Sequence, residues 1–262
     1  MKPNFNLNDK VAVITGGGGA LGSCIAKSLS ESGVKIAILD LTEESAQKTI
    51  DLIESNGGEA IGFASNVLSK DSIKKISQEI IAKWGRVDIL LNAAGGNMKG
   101  ATIAVDQTIF DLSIEDFKQV TELNLNGSVI PSLVFGEIMA QQKSGSIINI
   151  SSIAGLVGLS NCSAYNASKG GVRLLTKNIA VEYGDFNVRC NSIHPGFMAT
   201  NMNDPKVIAE RGRDINALTD AIPLKRMGTA EDIANCALFL ASDESVYVTG
   251  SEYTVDAGLT AK

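Results

Sequence analysis

A serine, a tyrosine and a lysine near the middle of the chain have the types and spacing of a proton-transfer site. Ser152 follows an apolar run typical of a buried strand, Tyr165 comes thirteen residues later, and Lys169 follows four residues after that. A step of four places two helical side chains on one face. A neighbouring ammonium lowers the pKa of a phenol. We therefore expect Tyr165 to exchange a proton near neutral pH, with the Ser152 hydroxyl holding the oxygen that receives it.

The same tyrosine–lysine spacing is also found in helices that only pack against a core, so other residues must support the hypothesis. A glycine-rich segment near the N-terminus does so. An apolar run over 11–15 is followed by four glycines and by Ala20, Leu21 and Gly22. Glycines allow a tight turn and let a pyrophosphate approach backbone N–H groups at a helix N-terminus. The spacing of Gly16, Gly18 and Gly22 is one residue longer than G-x-G-x-x-G, and an ordinary tight turn is the alternative.

An aspartate at the end of the second predicted strand supports nucleotide binding. The Asp40 carboxylate is suited to accept hydrogen bonds from both hydroxyls of an adenosine ribose, and it would repel a 2′-phosphate. Leu41 and Thr42 follow it, and no arginine or lysine stands there to receive such a phosphate. The residues therefore predict NAD rather than NADP as the cofactor.

Apolar strand-like runs alternate with helical patterns along the whole chain, which predicts βαβ units and a parallel sheet. The predicted fold class is α/β, with a single Rossmann-type doubly wound parallel sheet of seven strands between two helical layers. One long helix is predicted over 114–142, and another over 163–183 carries the Tyr165–Lys169 pair. The segments 96–113 and 197–222 are predicted to be irregular and to face the substrate, with 197–222 as a lid. No linker or repeat is visible, so 1–262 is predicted to be one domain.

Composition excludes several classes of function. The net charge of −6 gives no support to nucleic-acid binding, which requires basic clustering. No apolar run approaches the ~18 residues of a membrane span, and residues 1–8 contain no apolar leader. The four cysteines lack Cys-x-x-Cys spacing and are predicted to be reduced, so we expect a cytoplasmic protein without membrane contact. One histidine is too few for a His-based zinc site, and no metal is predicted.

Taken together, these residues resemble the short-chain dehydrogenase/reductase family over essentially the whole chain. The motifs are Thr15-Gly16 through Gly22, Asn92-Ala93-Ala94-Gly95, Asn124 in LNLNG, Ser152, Tyr165-x-x-x-Lys169, and Pro195-Gly196 with Thr200. The resemblance implies an NAD-dependent oxidoreductase in which Tyr165 is the general acid or base and Lys169 lowers its pKa and binds the nicotinamide ribose. Ser152 would hold the substrate oxygen, and Asn124 would anchor a water that links Lys169 to solvent. The alternative for Asn124 is a core amide at a helix distortion.

The resemblance also implies a set of cofactor contacts spread over the strand ends. They are Gly16, Gly18, Ala20, Leu21, Gly22, Asp40, Leu41, Asn66, Val67, Asn92, Ala93, Gly95, Tyr165, Lys169, Pro195, Gly196, Phe197, Met198 and Thr200. The chain departs from the family at three places. Ala20 and Asn66 replace a usual glycine and a usual aspartate, and Asp256-Ala257-Gly258 replaces a usual Asp-Gly-Gly. We expect only small adjustments at each.

The substrate is indicated less clearly. Residues 95–102 resemble the loop of family members that act on sugar acids of the fructuronate/mannonate type, where Lys99 would pair with a carboxylate unless it is only a solvated lysine. The C-terminal third resembles members acting on secondary alcohols. We expect a small polyol or sugar acid, with a cyclic secondary alcohol or hydroxysteroid as the alternative, and a non-catalytic dinucleotide sensor as the alternative from another class.

Arg211 and Arg213 are further candidates for contact with the substrate, and His194 is predicted to be structural. The family usually forms homotetramers through its two long helices.

Overall fold

The computed structural model describes residues 5, 7–104, 106–200 and 214–261. The strands of this described part form one seven-stranded parallel sheet in the order β3-β2-β1-β4-β5-β6-β7. They are β1 (Val11–Thr15), β2 (Lys35–Asp40), β3 (Ala60–Ala64), β4 (Ile89–Asn92), β5 (Gly145–Ile150), β6 (Val188–Pro195) and β7 (Glu252–Val255). The predicted Rossmann-type fold is therefore confirmed.

Helices cover both faces of the sheet. They are α1 (Ala20–Ser30), α2 (Glu43–Glu54), α3 (Lys70–Trp84), α4 (Ile114–Thr121), α5 (Gly127–Gln142), α6 (Ser163–Tyr183), α7 (Ile215–Ala221) and α8 (Ala230–Ala241). Local sequence explains many of their ends. The Ser69 hydroxyl accepts from the backbone N–H of Ser72 at the start of α3, and Gly85 ends that helix with φ +76. No helix in the described ranges is both long and apolar enough to cross a membrane.

Each strand of the sheet centre is buried on both faces, and alternate side chains face opposite layers. Ile14 of β1 packs in a core with Leu29 of α1 and with residues of α2 and α8. Its neighbour Val13 packs in a second core with Phe135 of α5 and with residues of α3 and α6. The strand order reverses between β1 and β4, because β2 lies on one side of β1 and β4 on the other. Open α/β sheets bind ligands at such a switch point, outside the carboxyl ends of the strands.

Three predicted elements differ from the structure. The single helix predicted over 114–142 is two helices, α4 and α5, separated by a π-helical turn over Glu122–Asn126. The last strand covers only Glu252–Val255, because residues 247–251 form a turn in which the Gly250 N–H donates to the Cys190 carbonyl. The segment predicted to be irregular over 197–222 contains α7, which begins where the Asp214 carboxylate accepts from the Asn216 N–H.

Candidate active site

Two adjoining cavities lie at the carboxyl ends of the strands and together form one cleft. The first, of about 390 Å³, is lined by Asp40 and is called the Asp40 cavity. The second, of about 280 Å³, is lined by Tyr165 and is called the Tyr165 cavity. Both are lined by Gly16, Gly19, Ala93 and Gly95, so the cleft is continuous across the switch point. Its size lies in the range of roughly 300–1,000 Å³ that is typical of small-molecule sites.

The glycine turn after β1 is packed too closely to carry side chains. Gly16 has φ +64, and a Cβ there would lie 2.7 Å from Ala94 Cα. A Cβ at Gly22 would lie 2.3 Å from the Gly16 carbonyl oxygen, and one at Gly18 would lie 2.5 Å from the Ser45 carbonyl oxygen. The turn leads directly into the N-terminus of α1, where Ala20 is the first helical residue and lines the cleft. The position of Ala20 therefore keeps the anion-binding geometry of a helix N-terminus.

The Asp40 carboxylate is held in one orientation at the end of β2. One oxygen accepts from the Gly18 N–H at 2.8 Å and the other from the Leu41 N–H at 2.8 Å. The Leu41 side chain is 72% exposed at the rim of the cavity. No arginine or lysine is among the described residues that line this cavity. A fixed carboxylate without a neighbouring cation fits a ribose with two free hydroxyls and disfavours a 2′-phosphate.

Asn66 and Val67 lie at the end of β3 and line the same cavity. The Asn66 side-chain oxygen accepts from the Leu68 N–H at 3.0 Å, so it stabilises the turn that leads to α3. Its amide nitrogen has no hydrogen bond with other described residues, which leaves a donor available at the position where the family usually has an acidic acceptor.

Tyr165 and Lys169 lie on the same face of α6 and both line the Tyr165 cavity together with Ser152. Lys169 Nζ lies 5.7 Å from the centre of the Tyr165 ring and donates to the Ile150 carbonyl at 2.8 Å. The structure thus brings together the three side chains that the spacing singled out. It adds one contact that sequence reasoning missed, the hydrogen bond between Lys169 Nζ and the Ile150 carbonyl at the end of β5.

Burial changes the pKa values of both α6 side chains, and the sequence-based expectation for the tyrosine is wrong for the free protein. Burial raises the pKa of Tyr165 above its usual value, and a hydrogen bond with Ser152 lowers it in part. Burial lowers the pKa of Lys169 to about 8. The ammonium does not overcome the desolvation of the phenol, because the lysine is itself desolvated and directs its Nζ to the Ile150 carbonyl.

The residues that follow β5 position the site through their backbone and hydroxyl groups. Ser152 begins a 3₁₀ turn over Ile153–Gly155, and its hydroxyl accepts from the Ala154 N–H at 3.1 Å. The Ser151 hydroxyl donates to the Lys169 carbonyl at 2.9 Å and so ties α6 to the sheet. Sequence reasoning missed Ser151, although a serine directly after an apolar strand and beside Ser152 was the available signal.

Asn124 and Asn92 are buried polar residues that do not line the cleft. Asn124 lies in the π-helical turn, where its side chain pairs with both backbone groups of Gly96 at 2.8 Å and donates to Ser168 Oγ at 3.1 Å. Asn92 faces the second core and donates to Ser132 Oγ and Asn149 Oδ1. The Asn92 side chain therefore cross-links β4 with β5 and α5, and its expected contact with the cofactor stays a prediction.

Three further residues that the sequence singled out, Phe197, Arg211 and Arg213, are not part of the described cleft. Phe197 does not line the cleft but a different cavity, of about 570 Å³, beside Pro223 and Arg226, because the chain turns over the end of β6 at this point. Arg211 and Arg213 lie outside the described residues. The other expected cofactor contacts do line the cleft, namely Gly16, Gly18, Ala20, Leu21, Gly22, Asp40, Leu41, Asn66, Val67, Ala93, Gly95, Tyr165, Lys169, Pro195, Gly196, Met198 and Thr200.

Comparison with known proteins agrees with this geometry. A family model described as enoyl-(acyl carrier protein) reductase matches residues 18–260. A solved structure with bound NAD from Haemophilus influenzae, provisionally described as a D-mannonate oxidoreductase, is 35% identical with a TM-score of 0.91, covering 98% of this chain and 97% of that one. Cyclohexanol dehydrogenase of Acinetobacter sp. is 34% identical over 97% of this chain and 96% of its own. An uncharacterized oxidoreductase of Thermotoga maritima is 36% identical over 98% of this chain and 100% of its own.

The cleft lies at the switch point of a parallel sheet and has a serine, a tyrosine and a lysine at one end. This arrangement is typical of dinucleotide-dependent oxidoreductases with an α/β fold. The chain belongs to the short-chain dehydrogenase/reductase family. It is an NAD-dependent oxidoreductase that acts on CH–OH groups.

Proposed function

We propose that this enzyme oxidises or reduces a small polyol or sugar acid, with Tyr165 as the general acid or base. The observation that carries the proposal is a cavity of about 850 Å³ that is lined by seven polar side chains, including Lys99, and is called the Lys99 cavity. Its lining begins at Asn97, and the Tyr165 cavity is lined by the preceding residue, Gly96. The two cavities share no lining residue. The segment 197–222 is proposed to act as a lid over the substrate site.

The chain's own residues have separate roles in this mechanism. NAD would be held by Asp40 and the glycine turn, and when bound it would supply the acceptor for the hydride of the carbinol carbon. Tyr165 Oη takes the carbinol proton in oxidation and returns it in reduction. The Ser152 hydroxyl donates a hydrogen bond to the same substrate oxygen and keeps it beside the phenol. Lys169 lies below the tyrosine and supplies positive charge, and the buried Asn124 is proposed to anchor a water that leads protons to it.

The lining of the Lys99 cavity supports a hydroxyl-rich substrate. Its polar side chains are those of Asn97, Lys99, Thr102, Gln107, Asp111, Ser113 and Asp116. Asp111 is already engaged, because its carboxylate accepts from the N–H and hydroxyl of Thr108. Lys99 forms no ion pair with any described residue and is exposed. A free ammonium beside hydroxyl and amide groups suits a carboxylate and the hydroxyls of a sugar acid, while Asp116 suits the hydroxyls of a neutral polyol.

A cyclic secondary alcohol is the second candidate. The 34% identity with cyclohexanol dehydrogenase favours it, and the apolar side chains of Met98 and Ile103 also line the Lys99 cavity.

The substrate class is tested by incubating the purified enzyme and NAD with a panel of polyols, sugar acids and cyclic alcohols while recording the absorbance of reduced cofactor. We expect reduction with a polyol or a sugar acid. Turnover with cyclic alcohols alone would favour the second candidate, and NAD binding without turnover of any compound would favour the non-catalytic sensor.

The role of Lys99 is tested by Lys99→Met, with Lys118→Met on the exposed side of α4 as the matched control. If Lys99 binds a carboxylate, its loss raises KM for acidic substrates by about tenfold, because one charge-assisted hydrogen bond contributes about 1.5–3 kcal/mol. KM for neutral polyols should not change. Equal KM values for acidic substrates in the wild type and in Lys99→Met would exclude the carboxylate contact.

We further propose a homotetramer and a cytoplasmic location. Leu133 of α5 and Leu174 and Val181 of α6 are 47%, 68% and 78% exposed, which leaves apolar surface on the two long helices. None of the four cysteines forms a disulfide, as is usual in a reducing compartment.

A further inference from the structure

The histidine at the end of β6 lies next to the cleft without lining it. His194 is fully buried, and the cleft is lined by the two residues that follow, Pro195 and Gly196. On a strand, residues two apart face the same side, so His194 lies on the α6 side of the sheet with Ser192 and Cys190. A buried imidazole that does not contact the cleft and yet has two polar partners requires an explanation.

Both ring nitrogens of His194 are engaged. Nδ1 lies 3.0 Å from the Ser152 carbonyl oxygen, and Nε2 lies 2.8 Å from Ser192 Oγ. A carbonyl oxygen only accepts, so Nδ1 must carry the proton. Nε2 of the neutral ring then accepts from the Ser192 hydroxyl. Burial lowers the pKa of His194, which is consistent with a neutral ring.

The partner of Nδ1 is the residue at which the chain leaves the sheet. The last ladder bond between β5 and β6 runs from the Ser151 N–H to the Ile193 carbonyl at 2.8 Å. The Ser152 carbonyl therefore has no strand partner. It accepts from the Gly155 N–H, which closes the 3₁₀ turn, and from His194. The hydrogen bond from the His194 imidazole therefore attaches Ser152 to β6, one residue beyond the last backbone hydrogen bond between β5 and β6.

We propose that His194 is a positioning residue, which fixes the backbone of Ser152 so that its hydroxyl meets Tyr165 and the substrate oxygen, and that Ser192 selects the imidazole tautomer that makes this possible. The proposal rests on the roles proposed above for Ser152 and Tyr165. It assigns a function to the single histidine of the chain.

The substitution pair His194→Asn and His194→Gln tests the proposal. An Asn amide nitrogen occupies about the place of Nδ1 and retains a donor for the Ser152 carbonyl, whereas a Gln amide reaches the place of Nε2 and faces Ser192. We expect kcat to fall by about tenfold to a hundredfold in His194→Gln, the scale of a misplaced catalytic group. We expect His194→Asn to recover most of kcat, with KM and NAD affinity little changed in both variants.

A second readout needs no substrate, so its result is independent of the substrate proposed above. The chain has four tyrosines, and the phenol of Tyr165 is titrated by NMR of ¹³C-tyrosine-labelled protein, assigned with Tyr165→Phe. The hydrogen bond with Ser152 lowers the pKa of Tyr165, so a displaced Ser152 raises it in His194→Gln and not in His194→Asn. The charged and titratable groups around the two rings are the same in all variants: Glu252 of β7 and Arg173 of α6 near His194, Lys169 near both, and Cys162 near Tyr165.

Equal kcat and equal Tyr165 titration in the Asn and Gln variants would overturn the proposal. So would a parallel loss of kcat and NAD affinity in both, because a merely structural residue would act in that way. If either variant fails to fold, Ser192→Ala carries the test. Without its hydroxyl donor, Nε2 can hold the ring proton, and Nδ1 then no longer donates to Ser152. We expect a partial loss of kcat and a higher pKa of Tyr165, and wild-type values of both would overturn the proposal.

Discussion

Burial acts in opposite directions on the two ionisable side chains of α6 that line the cleft. It raises the pKa of Tyr165 and lowers the pKa of Lys169 to about 8, because a low-dielectric surrounding disfavours the charged form of either group. The site in the free protein therefore favours a neutral phenol and a lysine that loses its proton at mildly alkaline pH. Ser152 is the neighbour that partly opposes this effect on the tyrosine.

Tyr165→Phe tests the proton transfer at this scale. The phenol is the only group of the three that is proposed to exchange a proton with the substrate. Its removal should lower kcat by at least about a hundredfold, the scale of a lost general acid or base, while NAD affinity stays nearly intact. Steady-state kinetics and calorimetric NAD titration measure the two effects. Tyr253→Phe is the control, because the ring of Tyr253, on β7, packs against Phe239 of α8 and does not line the cleft. Near-normal turnover in Tyr165→Phe would remove Tyr165 from its proposed role.

The buried ammonium of Lys169 makes stability depend on pH. The unfolded chain keeps a proton on this lysine up to about its ordinary pKa of 10.5, whereas the native chain releases it above about pH 8. The unfolded state binds more protons between these values, so the contribution of Lys169 to stability rises with pH in that window.

Lys169→Met removes this titration. We expect the free energy of unfolding of the wild type, minus that of Lys169→Met, to rise by up to about 1.4 kcal/mol per pH unit between about pH 8 and pH 10.5. Urea denaturation without NAD at several pH values measures the difference, in which the other titrating groups cancel. A difference that does not change with pH would show that the lysine is not desolvated.

At the scale of elements, the site depends on turns that pack backbone against backbone. Gly22 begins the second half of the first turn of α1, and the atom nearest to its missing Cβ is the Gly16 carbonyl oxygen. The atoms around this position belong to the backbone of Gly16 and Gly17 and not to a flexible side chain. A methyl group therefore has no room unless α1 moves away from the glycine turn.

Gly22→Ala should therefore lower the free energy of unfolding by about 1–3 kcal/mol, the scale of an overpacked site, and weaken NAD binding. The control is Gly158→Ala, where a Cβ would meet nothing within 4 Å and a change within about 0.5 kcal/mol is expected. Urea denaturation and NAD titration measure both variants. Equal stability of the two would mean that the start of α1 adjusts freely.

The π-helical turn between α4 and α5 is a second local structure that positions one edge of the cleft. Asn124 uses its side chain to satisfy both backbone groups of Gly96, the fourth residue after β4. The extra residue of the π-helical turn brings the Asn124 amide to Gly96. The Ser128 hydroxyl donates a hydrogen bond to the Asn124 carbonyl oxygen. The interruption that breaks the predicted helix thus positions one edge of the cleft.

For the whole molecule, the exposed apolar residues of α5 and α6 predict assembly. We expect size-exclusion chromatography with light scattering to give a particle of four chains. Val181→Glu on α6 should dissociate it, because a desolvated carboxylate would enter the contact. Leu52→Glu on α2 is the control, since α2 lies on the other face of the sheet. A monomeric wild type, or a tetramer that persists in Val181→Glu, would contradict the proposed interface.

The fold and the family were predictable from the chain because their signals are local. A β-branched run, a glycine stop and an apolar helical repeat are each visible within about fifteen residues, and the seven-stranded sheet is confirmed. Asp40 at the end of β2 was predictable for the same reason, because a strand end and a carboxylate adjoin in sequence. The bounds of the helix predicted over 114–142 were less accurate, because its π-helical interruption carries a contact between Asn124 and Gly96. These residues are 28 positions apart, so no local pattern reveals the contact.

Which way a side chain faces was decided only by the tertiary structure. Asn92 and Phe197 stand at strand ends, as ligand-binding residues do, yet Asn92 turns into the core and Phe197 lines another cavity. The higher pKa of Tyr165 and the contact between His194 and Ser152 depend on what packs around them. Residue types and spacing specify the elements and the chemistry they carry, because those properties are covalent and local. Burial, orientation and hydrogen-bond partners arise only when distant segments meet, so they require the folded chain.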